Sequence, residues 1–278
     1  MSVHLTGMPV QNAPEYSYYQ MIQDFLYFAF TKSIKTFMAI ECLDQDEDIY
    51  YSEDILILLR SILDNYAISK YAIVTMESGN GEGVRNLAGD IVQSRTGLYL
   101  GCYIKDSHYY KDGKEIIGKS ISANVIKSCD GESYFSKLYE LLCLYAHCDM
   151  GIIDNYYYKG SFSYCEERDY LFTLFLVLFV FERYYRVIVL EGVDVDDYEG
   201  DELKHFKTAE RKAVRVLKKT LNYLEKFYKH AGAKTQALYF ARYLDTEPQF
   251  KTGERIRELL AGIRATFSKT GKQERCYG

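Results

Sequence analysis

The chain has 278 residues, 48% of them hydrophobic and 26% charged, which is enough apolar material for a sizeable core and excludes a disordered tail or a disulfide-stapled miniprotein. Its prolines are Pro9, Pro14 and Pro248, so Glu15 to Glu247 carries none; this argues for long helices with short loops and against a loop-rich all-β fold. The formal net charge of −5 hides a division: Leu203 to Gly278 holds 18 Lys+Arg against 7 Asp+Glu, a net +11, and the remainder holds 16 against 32, a net −16. Such a tail either docks on the acidic body or meets an anionic partner.

In chain order, Glu15 to Leu43 places Ile22, Leu26, Ala29, Ile34, Phe37 and Ile40 at the three-and-four spacing of one helical face. A second helix is expected from Ser52, read as its N-cap with Glu53 and Asp54 in the first turn, to Met76. Glycines at 79, 81 and 83 close it, and a third helix runs from Gly83 to Leu100. Asp112-Gly113 between two short β-prone runs reads as a tight hairpin turn. Ser120 is expected to cap a helix through Cys129, and Gly131-Glu132-Ser133 to introduce another that runs to His147.

A Tyr-rich irregular loop, Asn155 to Ser163, leads to Glu166–Leu190, apolar enough on all sides to be the central buried helix. Its longest apolar run, Leu171 to Phe181, is shorter than the ~18–20 residues that span a bilayer. The N-terminus lacks a basic stretch followed by an apolar one, so a cytoplasmic protein with no membrane partner is expected. Glu202 to His230 is a long amphipathic helix with Phe206, Ala213, Leu217, Leu221, Leu224 and Tyr228 on one face. On the other side Lys204, Lys207, Arg211, Arg215 and Lys218 form a basic stripe. Gln236–Leu244 and Arg255–Phe267 read as shorter terminal helices. The whole is an all-α multi-helix bundle with a small hairpin or irregular insertion near 105–118. A helical core domain covers 1–201, and a basic helical extension, 202–278, packs on it.

Among motifs, Gly113-Lys-Glu-Ile-Ile-Gly118-Lys119-Ser120 matches the letters of a phosphate-binding G-x-x-x-x-G-K-[ST] loop. The preceding Tyr109-Tyr-Lys-Asp112 is polar and turn-like, and the chain lacks alternating strands and helices, so a hairpin followed by a Ser-capped helix is the better reading. Arg60 sits among Ile55-Leu-Ile-Leu-Leu59, Ile62 and Leu63, where a charge must be partnered. Asp64, one turn on, is its local partner; the alternative is an arginine that faces a cleft and an anionic substrate. His147 follows Tyr139 and Cys143 at four-residue steps, as an acid or base near neutral pH or as a helix terminator. Seven cysteines at irregular spacing point to reduced thiols; Cys143, His147, Cys148 and Cys165 lack zinc-site spacing, and neither metal nor cofactor is expected.

Arg60-Ser-Ile-Leu-Asp64, Gly118-Lys-Ser-Ile-Ser122 and Tyr139-x-x-Leu-Cys-x-x-Ala-His147 occur in an order that resembles a widespread bacterial family of all-helical proteins of unknown function. That family carries an R-S-x-x-E helix, a G-K-S-I segment opening a helix, and a Y-x-x-L-S-x-x-x-H helix. This chain differs in Asp64 for the usual Glu and in Cys143 for the usual Ser. An Arg and a His in a helical bundle also resemble HEPN ribonucleases, although none of the five histidines follows an Arg at the HEPN spacing.

These readings lead to two expectations. One is a metal-independent ribonuclease, a toxin-like effector of anti-phage defence. In it Arg60 stabilises phosphorane-like charge beside Asp64, His147 acts as acid and base, and Lys204, Lys207, Arg211, Arg215 and Lys218 hold RNA. The other is a non-enzymatic scaffold or sensor that binds a partner protein. A homodimer is compatible with either.

Overall fold

The computed structural model describes residues 14–45, 51–96, 103–105, 108–111, 113–115, 125, 129, 134–147, 156–158, 161–162, 170–190, 200–230, 235–236, 249–250 and 252–273. Within them the chain is an all-α multi-helix bundle. The helices are α1 (Pro14–Asp44), α2 (Ser52–Glu77), α3 (Gly81–Thr96), α4 (Phe135–Ala146), α5 (Tyr170–Tyr185), α6 (Gly200–His230) and α7 (Thr252–Gln273). A π-helical turn, Arg186–Leu190, extends α5.

Each long helix exists because its apolar residues have somewhere to go. Ile22, Leu26, Ala29 and Ile40 of α1 are buried, as their spacing requires. The hub is α2, not α5 as the apolar run suggests: α2 packs against α1, α3, α4 and α5. Its buried residues, among them Ile55, Leu59, Ile62, Leu63, Tyr66 and Ala72, therefore lie on nearly every side. Several polar groups in this interior pair across helices, which matters because an orphan costs about 1–3 kcal/mol. Ser33 donates to the Ala29 carbonyl at 2.9 Å and accepts from Asn65 Nδ2 at 2.9 Å, which ties α1 to α2.

The abundance of Tyr over Trp has a counterpart in the core, where tyrosines supply both area and hydroxyls. The Tyr184 hydroxyl lies 2.8 Å from Ser69 Oγ, and Tyr134 donates to Tyr66 at 3.3 Å. Phe30 meets Tyr184 edge-on at 5.1 Å, and Tyr134 meets Phe179 at 4.9 Å. Leu217, Leu221 and Leu224 of α6 and Leu259, Leu260 and Ile263 of α7 join the same core cluster. Arg264 fastens α7 to α6, donating twice to Glu225 at 2.6 Å and to Asn222 at 2.7 Å.

Several local expectations change. Ser52 is the first helical residue rather than the cap; Tyr51 caps α2 without a side-chain hydrogen bond, and Ser52 is buried. The helix expected to run to His147 is α4, whose N-cap Tyr134 makes no side-chain capping bond and whose C-cap is His147. The Tyr-rich loop contains a short antiparallel ladder, β4 (Tyr157–Tyr158) with β5 (Ser161–Phe162). Gln236 is in a strand rather than at a helix start: β6 (Thr235–Gln236) pairs with β7 (Gln249–Phe250). The rest of the helix expected to Leu244 lies outside the described residues.

The insertion forms three short antiparallel strands, β1 (Tyr103–Lys105), β2 (His108–Lys111) and β3 (Lys114–Glu115). Gly113 turns between the last two with φ +78°, a conformation that suits glycine. In a phosphate-binding loop, this glycine would follow a buried strand and lead toward a helix. Here it turns a hairpin, and Lys114 and Glu115 pair back onto β2. Gly118, Lys119 and Ser120 lie outside the described residues, as does the expected helix to Cys129 except for Val125 and Cys129, both helical and buried.

Candidate functional site

Two constellations carry chemistry-bearing side chains. The first is where α2 meets α4. Arg60 Nη1 donates to Asp64 Oδ1 one turn along α2, and its guanidinium carbon stands 3.6 Å from the centre of the Tyr139 ring. The Arg60 side chain is 13% exposed and that of Asp64 41%. Burial pulls the Arg60 pKa down, but the Asp64 hydrogen bond and charge, with Cys143 and Tyr139, outweigh it, so the group sits above its ordinary value. Arg60 is thus a fixed cation whose face and one amino group are engaged by protein.

His147 is the C-cap of α4, donating its backbone N–H to the Cys143 carbonyl at 3.0 Å, and it is exposed. It stands eight residues after Tyr139, about 12 Å of helix rise. The helices run antiparallel, with Tyr66 near Phe135 and Arg60 near Tyr139. His147 therefore lies toward the start of α2, whereas the Arg60 side chain reaches toward Asp64 in the opposite direction. Arg60, Asp64 and Tyr139 come together, with Cys143 alongside; among the described residues His147 is not a partner of that cluster. Cys129 and Cys143 are free thiols, and no group of three or more potential metal ligands gathers among the described residues.

The second constellation is a cleft of about 380 Å³ between α5, the π turn, α6 and α7. Its charged lining is Arg183, Arg186, Arg211, Arg215, Lys218 and Lys219 against Glu182 and Glu210. The apolar faces of α5 and α6 bring these groups together, and the π turn offers Arg186 to α6. There Arg186 donates to the buried Glu210 at 2.9 Å, which uses up that carboxylate and braces the wall. Lys218 extends over the Phe267 ring at 5.8 Å. Arg211, Arg215 and Lys219 are exposed and make no ion pair among the described residues.

Of the expected stripe, Arg211, Arg215 and Lys218 line this cleft, and Lys204 and Lys207 continue it as exposed residues toward the start of α6. From Lys204 to Lys218 the row covers about 21 Å of helix. Sequence reasoning missed Arg183, Arg186 and Lys219. The first two end a helix read as wholly buried, and their three-residue spacing beyond the apolar run was the available signal. No cleft-lining residue comes from α2 or α4, so the Arg60 cluster and the basic cleft are built by different elements.

The fold and cleft define a helical bundle with a cation-lined groove. No family model, curated protein or solved structure matches the chain. No helix among the described residues is long and apolar enough to cross a membrane.

Proposed function

We propose that the chain is a nucleic-acid-binding helical protein that holds an RNA phosphate backbone along α6. The observation that carries this reading is the cationic row Arg211, Arg215 and Lys219, without ion-pair partners among the described residues, at the mouth of a groove whose Glu210 is already neutralised by Arg186. Phosphates are the anions that such a row suits: each contact releases a counterion, and extended spacing lets several contacts act together. Lys204 and Lys207 lengthen the track. Arg60 and Asp64 serve α2–α4 packing in this reading, and nothing in their geometry attaches cleavage to the bound strand.

The test is fluorescence anisotropy of a labelled RNA oligonucleotide titrated at several salt concentrations. Five phosphate contacts, at Lys204, Lys207, Arg211, Arg215 and Lys219, give a log–log salt slope of about −3.5 and a loss of affinity of about 100-fold between roughly 50 and 200 mM salt. The triple variant Arg211→Ala/Arg215→Ala/Lys219→Ala, all at exposed positions, flattens the slope while the protein stays folded. Binding of poly-glutamate as tightly as RNA would instead favour the scaffold reading, with an acidic protein as the partner.

A further inference from the structure

The exposed side of α6 carries a feature that the cationic row does not explain. Tyr223 is 58% exposed and Phe227 51% exposed, and their rings lie 6.4 Å apart at 15° to each other. Two large parallel rings held in solvent are costly to leave uncovered. They are also held in place: Phe227 meets the buried Tyr228 edge-on at 5.1 Å, and Tyr228 packs against Phe172 of α5 at 5.8 Å. The pair is a braced platform on a helix rather than loose side chains on a loop.

Its position relative to the cleft follows from helix geometry. Arg211, Arg215, Lys219, Tyr223 and Phe227 step by four residues, forming one continuous ridge that winds about 40° per step around α6. The ridge leaves the cleft at Lys219 and reaches the rings one turn later. From this we infer that Tyr223 and Phe227 stack the bases of a single strand whose phosphates lie on Arg211, Arg215 and Lys219. This rests on the backbone-binding reading above and adds to it the kind of strand bound.

A second copy of this chain is the competing occupant, because Val216, also exposed, lies on the same side of α6 two turns before Tyr223. Charge argues against it. Between Arg211 and His230 the helix carries seven Lys/Arg and a single acid, Glu225, and Arg264 already holds that acid through two bonds of 2.6 Å. Two such helices would set like charges against each other on both sides of an aromatic seam. A single-stranded nucleic acid supplies flat rings and anions together, at the spacing the ridge offers. A duplex keeps its bases stacked inside and offers the platform nothing.

The experiment compares binding of a labelled 12-nucleotide single-stranded RNA with binding of its blunt duplex, for wild type and for Tyr223→Ala, Phe227→Ala and Tyr223→Phe. Wild type binds the single strand more tightly; each alanine variant weakens that binding by about 5- to 100-fold and leaves duplex binding and the salt slope unchanged, whereas Tyr223→Phe retains affinity. Alanine variants that bind the single strand like wild type would overturn the inference while leaving the backbone reading intact, provided the Arg211/Arg215/Lys219 variant is weak on both ligands. Wild type binding neither ligand would remove both. Sedimentation completes the design: a wild-type dimer that Tyr223→Ala converts to monomer, with RNA affinity unchanged, assigns the rings to self-association and overturns the inference.

Discussion

Removing Asp64 tests whether the Arg60 cluster is a packing device. In Asp64→Ala the guanidinium keeps its Tyr139 ring at 3.6 Å but loses its carboxylate, with only 13% of its side chain in water. A charge-assisted hydrogen bond contributes about 1.5–3 kcal/mol, so Asp64→Ala lowers stability by about that much. The partner variant behaves differently. Arg60→Met keeps the apolar stem and leaves behind an Asp64 that is 41% exposed and can rehydrate, so its cost is smaller, about 1 kcal/mol, mostly the lost guanidinium–ring contact.

The double variant therefore costs less than the sum of the two, with a coupling of about 1–2 kcal/mol. Urea unfolding followed by far-ultraviolet circular dichroism reads all four corners of the cycle. Because folding raises the Arg60 pKa, the contribution of this cation is fully present at neutral pH and fades only as pH climbs through the strongly alkaline folded value. The Arg60 side of the coupling is then the same at pH 6 and pH 8. Single variants within about 0.5 kcal/mol of wild type, with no coupling, would refute the packing role and return Arg60 to consideration as a group held ready for substrate.

Other predictions address the core and the hairpin. Tyr184→Phe strips the buried Ser69 hydroxyl of its 2.8 Å partner and lowers stability by about 1–2 kcal/mol in the same urea assay. Leu221→Ala, at a fully buried position where α6 joins the core, costs about 2–5 kcal/mol and lowers the melting temperature measured by calorimetry. Gly113→Ala meets no neighbouring atom within 4 Å, so its penalty is the positive φ alone, about 1–2 kcal/mol, seen as faster hydrogen exchange at the β2–β3 amides.

Much of the helical framework was legible residue by residue. The expected helices Glu15–Leu43, Ser52–Met76 and Glu202–His230 match α1, α2 and α6 to within two residues at either end. Long amphipathic or apolar periodicity states itself in one dimension, and caps do not. Ser52 has the composition of an N-cap but lies buried in the first turn, because the chain direction at Tyr51 is set by how α2 enters the core. The Asp112-Gly113 turn was readable because a tight hairpin demands a residue that accepts positive φ. The β4–β5 and β6–β7 ladders were not, since two-residue strands are too short to show alternation.

By itself the sequence determined an all-α bundle, the amphipathic character of α6 and its basic side, and it offered Asp64 as a local partner for Arg60 beside the alternative of a cleft-facing arginine. All of these follow from spacing within one helix. Only tertiary structure decided that α2 is the hub, that Arg60 lies on Tyr139 while His147 stands away from it, and that Arg183 and Arg186 face α6 to make a cleft. It also set the exposed Tyr223 and Phe227 rings side by side and braced Phe227 against Tyr228, the one of the three that spacing had already placed on the apolar face. Such facts depend on which helix covers which, and packing between distant segments settles that through the apolar area it removes from water.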